Sequence, residues 1–283
     1  MRMLVFGVGV VCIGGIAFGW THNVHRAADT IAMLRPLLAV LLLVAACMTR
    51  SRRARIAFGG IGVFSLASAL VFLLPQAPGS DLRLYTKNVW FGNGQVAAVQ
   101  ADITEAAVDV VMLQELSGKT SLLVAGLKAD FPHQHVCRFS GWSAMAVLSK
   151  HPFVSPPRCT NTRALVAAQI DKDGRSVWVV SAHIPWPWPF DNAAAETDAE
   201  TLLRSLTGPI VVAGDFNAFP WSPRVQRIRA ITQTQVAGPT RPTLTFRRVP
   251  LPLDHVLAPG GGAVSYRPFL GADHRGVVAD IFF

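Results

Sequence analysis

The chain has 283 residues, of which 51% are hydrophobic and only 15% charged. A soluble protein carries about 25% charged residues, so the composition argues against a soluble chain over its whole length. The net charge of +9 suggests a nucleic-acid footprint until it is located. Residues 1–80 hold seven Arg and one Asp, whereas residues 81–283 hold 19 Lys and Arg against 16 Asp and Glu. The basicity belongs mainly to the apolar N-terminal region and is weak support for DNA binding.

Three apolar runs open the chain: Leu4 to Trp20, Ile31 to Met48 and Ile56 to Leu74. Each is roughly 17–20 residues, about what an α-helix needs to cross ~30 Å of hydrocarbon, where every backbone amide must be satisfied internally. The expectation is three transmembrane helices within residues 1–75. Arg35 lies one turn from an end of the second run and would snorkel. Thr49 to Arg55 carries four Arg, against Arg26 alone between the first two runs. The positive-inside rule then puts the N-terminus and the Arg-rich loop in the cytoplasm, and everything after Leu74 outside it. The alternative for the first run is a cleaved signal peptide, although no small-x-small site precedes Thr21. Cys12 and Cys47 lie in apolar runs and read as buried small hydrophobes; Cys137 and Cys159 can pair in an oxidising compartment.

A Pro/Gly-bearing stretch at residues 76–81 reads as a linker to a domain over residues 82–283. Strand-like segments follow at Leu82–Asn88, Val108–Leu113, Ala144–Leu148, Leu165–Ile170, Val177–His183, Ile210–Gly214, His255–Leu257 and Val277–Phe282. Helical candidates are Gln95–Ala107, Thr120–Asp130, Asn192–Leu206 and Ser222–Thr232. Strands interleaved with helices over this length predict two packed sheets flanked by helices.

Polar residues collect where these strands end: Asn88, Glu115, His183, Asp215 with Asn217, Asp254 and Asp273-His274. Singly each has a plain structural reading, since Asp-x-Asn is a common turn and a lone Glu is usually a surface carboxylate. Together, carboxylates, amides and histidines suit a hard, oxygen-preferring cation and a phosphate. Phosphoryl transfer needs charge neutralisation and a positioned nucleophile more than covalent chemistry. An Asp–His pair suits proton transfer.

Tyr85-Thr86-Lys87-Asn88, Leu113-Gln114-Glu115, Ser181-Ala182-His183, Gly214-Asp215-Phe216-Asn217, Leu253-Asp254-His255-Val256 and Ala272-Asp273-His274-Arg275 occur in an order that resembles the endonuclease/exonuclease/phosphatase superfamily. Gly141 to Pro152 resembles a further recurring segment of that superfamily. The resemblance spans residues 81–283 and implies a DNase I-like four-layer α/β/β/α sandwich, with the three membrane helices outside it. It implies Glu115 as the principal Mg²⁺ or Mn²⁺ ligand, Asn88 beside it and Asp273 as a second ligand. Asp215 and Asn217 would orient water and phosphate. His274 would bond to Asp254, and His183 would contact phosphate or assist the leaving group. Whether His274 or Asp215 takes the proton from water stays open, and His255 reads as a strand neighbour.

Superfamily membership does not select a substrate. Ile184-Pro185-Trp186-Pro187-Trp188-Pro189-Phe190 follows His183 as a stiff aromatic loop, and Phe219-Pro220-Trp221 follows Asn217. The first loop either packs on its own domain or forms a wedge at the mouth of the site that contacts lipid or substrate, Trp being favoured at the membrane–water interface, and Phe219-Pro220-Trp221 would belong to the same surface. The expected function is an extracytoplasmic phosphodiesterase or phosphatase acting on phospholipid-like or other phosphoester substrates. A nuclease whose aromatics stack on bases and a silent membrane scaffold are the alternatives.

Overall fold

The computed structural model describes residues 2–21, 25–140 and 143–283. Part of the loop between the first two apolar runs (residues 22–24) and Gly141, where the segment to Pro152 opens, lie outside the described residues. The N-terminal region is helical: α1 spans Arg2–Phe18, α2 Ala27–Met33, α3 Arg35–Met48 and α4 Arg52–Leu70, which runs on through a 3-10 turn at Val71–Leu73.

The expectation of three membrane-crossing helices is corrected here. Among the described residues only Arg52–Leu73, 22 residues long, is a single helix long and apolar enough to cross a bilayer. α1 has 17 residues, roughly 26 Å at 1.5 Å per residue against a core of ~30 Å. The second run is broken, with α2 and α3 meeting at 60°. The break falls at Leu34-Arg35-Pro36, where proline has no N–H to continue a helix and restricts the residue before it. Arg35 does not snorkel; it is buried, 4.0 Å from the centroid of the Trp20 ring. α1, α3 and α4 pack around Cys12, Ile16, Leu42, Ala45 and Phe58. Outside the bundle Leu4, Val11, Leu37, Val44, Ile56 and Phe64 stay exposed. Cys47 is exposed, not buried.

Residues 76–81 form no regular element but are held down. Gly79 and Asp81 donate backbone N–H groups to Asp280 and Ile281, while the Gln76 side chain joins Val236 to Gly262.

Beyond this stretch come β1 (Leu82–Asn88), α5 (Val96–Glu105), β2 (Val110–Leu116), α6 (Leu122–Gly126), β3 (His133–Ser140) and β4 (Ser143–Ser149). Then follow β5 (Arg158–Cys159), β6 (Leu165–Lys172), β7 (Arg175–His183), α7 (Ala193–Ser205), β8 (Ile210–Asp215) and α8 (Pro223–Thr232). The chain closes with β9 (Gln235–Val236), a hairpin of β10 (Leu244–Phe246) and β11 (Val249–Leu251), β12 (Asp254–Ala258), β13 (Gly262–Tyr266) and β14 (Val277–Ile281).

Two six-stranded sheets result, ordered β13-β14-β1-β2-β4-β3 and β5-β6-β7-β8-β12-β9. Leu84, Met112 and Val147 of the first meet Val179, Val211 and Val256 of the second in the central core. α5 and α6 cover the outer face of the first sheet through Val99, Ile103 and Leu123. α7 and α8 cover the second through Leu203, Val225 and Ile228. This is the expected four-layer α/β/β/α sandwich. Its central strands are buried on both faces, which is why they read as continuous apolar runs. Cys137 on edge strand β3 pairs with Cys159 on edge strand β5, Cα atoms 5.9 Å apart, and so staples one sheet to the other.

Candidate active site

Each sheet brings one parallel strand pair to the same end of the sandwich. β1 pairs with β2, setting Asn88 beside Gln114, and β7 pairs with β8, setting His183 beside Asp215. β12 begins there by pairing Asp254 with Asp215 across an antiparallel ladder. Gln114 donates to the Ser181 hydroxyl at 2.9 Å and so links the sheets directly beneath the site.

Local backbone geometry aims the key side chains. The pairing of β2 with β4 shifts register between Leu113 and Leu116, and within this bulge Glu115 takes φ of 58°. A bulge re-aims a side chain, and here it turns the half-buried carboxylate into the crevice. Asn217 is likewise left-handed, at φ 47°. Such conformations are uncommon outside glycine and persist where surrounding structure imposes them. Gly214 precedes Asp215 at φ 144°, and a Cβ there would collide with the carbonyl of Ala182.

The side chains form one connected set. The Asn88 amide donates to Glu115 at 3.0 Å and to Asp215 at 3.2 Å, while its oxygen accepts from the Trp90 backbone. Asp215 also receives the Asn217 backbone N–H at 2.8 Å. The Asn217 amide donates to the Ile184 carbonyl at 3.0 Å. His183 Nε2 sits 3.4 Å from Glu115 and 3.7 Å from Asp215. His274 Nδ1 lies 2.7 Å from Asp254, leaving Nε2 3.7 Å from Asp215. Asp273 lies on the crevice wall. All eight sequence-predicted residues thus belong to one crevice and its immediate support. His255 is apart from them, buried with Nε2 at the Ala218 carbonyl.

Burial and charge sort the titrating groups. Burial pushes the Asp215 carboxyl upward, against the pull of His274. Burial opposes charge on His274 too, but Asp254 and then Asp215 outweigh it and raise the imidazole to about 10. Asp254 is also penalised by burial, yet the charge and hydrogen bond of His274 hold it below the usual carboxylate range. His183 goes the other way. Burial lowers it to about 3, helped by Arg163 and His274, which favours the neutral imidazole.

Beyond the aromatic loop after His183, several participants carried little sequence signal. Arg163, in the turn before β6, lines the crevice, and its charge acts on Glu115, Asp215 and His183. One wall is apolar, built by Trp186 and Phe190 on one side and Leu244, Phe246 and Leu251 of the hairpin on the other. Lys87 is fully buried beneath the site and donates to the His274 carbonyl at 2.7 Å. It stands in the first motif, where its charge was the available clue. Of the alternatives for Trp221, packing holds: it is buried and donates to the Ala32 carbonyl at 2.8 Å. Trp188 and Phe190 remain exposed.

A two-sheet sandwich with an acid, amide and imidazole crevice at the ends of its central strands defines a DNase I-like α/β protein. The sequence profile of the Endonuclease/Exonuclease/phosphatase family matches residues 85–274, and the chain belongs to that family. Its members are hydrolases acting on phosphoester bonds. Solved structures share the fold at low identity. A family protein from Bacteroides vulgatus is 19% identical, with a TM-score of 0.58 over 72% of this chain and 99% of its own. One from Leptotrichia buccalis C-1013-b is 15% identical, with a TM-score of 0.57 over 71% and 100%. A humanized D. rerio TDP2 is 18% identical, with a TM-score of 0.54 over 70% and 97%. No curated protein matches in sequence.

Proposed function

We propose that the protein is a membrane-anchored, divalent-cation-dependent phosphoester hydrolase, with its crevice outside the cytoplasm and a phospholipid-like substrate. The observation carrying this reading is the crevice itself, a charged floor of Glu115, Asp215 and His274 under an aromatic and aliphatic wall. Such a site fits an amphiphile with a phosphoester head. The donor set fits a hard cation: Glu115, Asp215, Asp254 and Asp273 are carboxylates gathered around one crevice, and no sulfur is among them.

Asp215, Asp254 and His274 bring ligand atoms within 4.8 Å of one another. That trio is the poorer cation site, because His274 holds a proton and is tied to Asp254. Glu115 and Asp273, with Asn88 beside them, would hold the Mg²⁺ or Mn²⁺ ion. When bound, the ion supplies charge neutralisation for the non-bridging phosphate oxygens. Asp215, oriented by Asn88 and Asn217, is placed to accept a proton from water. His274, fixed by Asp254, offers a charged N–H beside it. His183 offers a neutral contact to phosphate oxygen or the leaving group, and Arg163 a positive one.

Support for the anchor comes from the apolar exterior of α1, α3 and α4. The elbow between α1 and α3 and the domain after α4 touch one another, so both would lie on the face opposite the Arg-rich loop. The test is hydrolysis by the full-length chain of phospholipid vesicles and plasmid DNA in parallel, with Mg²⁺ and with chelator. Metal-dependent lipid cleavage is expected. DNA cleavage alone would make the protein a nuclease, and cleavage of neither would favour a scaffold. A reporter fused after Phe283 should be active outside the cytoplasm; activity only inside would overturn the topology.

A further inference from the structure

The membrane region does more than hold the domain at a surface. α4 alone would tether it, yet α1 and α3 return an elbow, α2, that packs on α8 behind the crevice. The contact is polar and buried. Asp29 of α2 accepts the backbone N–H of Arg224 at 2.7 Å, and the two residues are 2% and 1% exposed. Trp221 donates to the Ala32 carbonyl, and Arg35 donates to the Trp221 carbonyl at 3.3 Å.

α8 begins with Pro223 at its first position but lacks a local side-chain cap. Ser222 occupies the N-cap position, but its side chain makes no capping bond. The first N–H groups of a helix need acceptors and favour negative charge. Asp29 supplies both from 195 residues away. Arg224, fixed by that cap, then spans the two loops that carry the site. Its Nη1 donates to the Pro185 carbonyl at 2.6 Å and to the Phe216 carbonyl at 3.2 Å, while Nε donates to Glu196 at 3.1 Å. Pro185 lies two residues after His183, and Phe216 lies between Asp215 and Asn217.

We propose that Asp29 and Arg224 are positioning residues. The α2 elbow of the membrane region caps α8, and Arg224 thereby holds the His183 and Asp215 loops in register across the crevice. This rests on the phosphoesterase reading. Small displacements of reacting groups carry large rate penalties, whereas binding of a small substrate depends little on them.

The experiment uses the full-length chain in detergent micelles with bis(4-nitrophenyl) phosphate and Mg²⁺, comparing Asp29→Ala, Asp29→Asn and Arg224→Lys. In Asp29→Ala, kcat is expected to fall about 10- to 100-fold with KM within about twofold, and amide exchange across residues 216–224 to quicken. Asp29→Asn keeps an oxygen for the Arg224 N–H and should recover most of the loss. Arg224→Lys keeps the charge but cannot reach both carbonyls and Glu196, and should lose kcat in a folded chain. Wild-type kcat in folded Asp29→Ala or Arg224→Lys overturns the proposal. So does a loss that only tracks the unfolded fraction, including failure of all three variants to fold. A wild-type chain that hydrolyses no phosphodiester removes the phosphoesterase reading instead, and the exchange measurement still reports on the clamp.

Discussion

The two sheets contribute unlike halves to the site. From the first, Glu115 enters on a bulge, partly exposed, with a neutral amide as a hydrogen-bonding neighbour. From the second, Asp215 and Asp254 are buried and already joined to Asn217 and to His274 on the neighbouring loop. A partly exposed carboxylate bonded to a neutral amide is suited to take a ligand. A buried, bonded network is organised in advance, and its charges are costly to leave alone. The difference separates what binds from what orients, and each half breaks in its own way.

Removing the open carboxylate should cost the most activity and the least stability. Glu115→Ala is expected to lower kcat/KM by on the order of 10³-fold, measured against Mg²⁺ concentration, with Tm within about 2 °C of wild type. A large fall in Tm would contradict the division. In the buried half, Asp254→Asn leaves a charged imidazole without its partner. It should destabilise the fold by ~3–5 kcal/mol in chemical denaturation and lower kcat about 100-fold. An activity loss without a stability loss would place Asp254 with the ligand-binding half.

The staple between the sheets matters less. Cys137→Ser should destabilise the domain by ~3 kcal/mol under non-reducing conditions and leave Glu115-dependent activity intact. The subtlest signature is in the pH dependence. The His274 pKa is raised from 6.5 to about 10, so its pairing contributes fully below pH 6.5 and is lost as pH rises toward 10. Melting of the full chain should therefore weaken over that window, and less so in His274→Asn. Equal slopes in both proteins would remove the pairing from the account.

Much of the sandwich was legible because buried parallel strands announce themselves. Leu82–Asn88 matches its apolar pattern to the residue, and the other main strands and α5, α7 and α8 match theirs within a few residues. The edges were not. His133–Ser140 is an edge strand of mixed polar residues, and β5, β9 and the hairpin strands are two or three residues long. Short polar strands are made by their partners, not by their own pattern. The motif residues were visible because chemistry restricts their type. The aromatic loop after His183 was legible too, but Arg163 and the hairpin residues Leu244, Phe246 and Leu251 were not, since tertiary packing alone brings them to the crevice. The broken second run had a signal in Arg35-Pro36, a charge and a helix breaker inside an apolar stretch. Periodicity and length masked it.

The most direct test of the central claim is phosphodiester hydrolysis by the full-length chain in chelator, followed by Mg²⁺ titration. No hydrolysis in chelator, with saturable recovery that Glu115→Ala shifts to much higher Mg²⁺, is the predicted result. Hydrolysis that is indifferent to chelator, or equal recovery in Glu115→Ala, would contradict a cation site at Glu115.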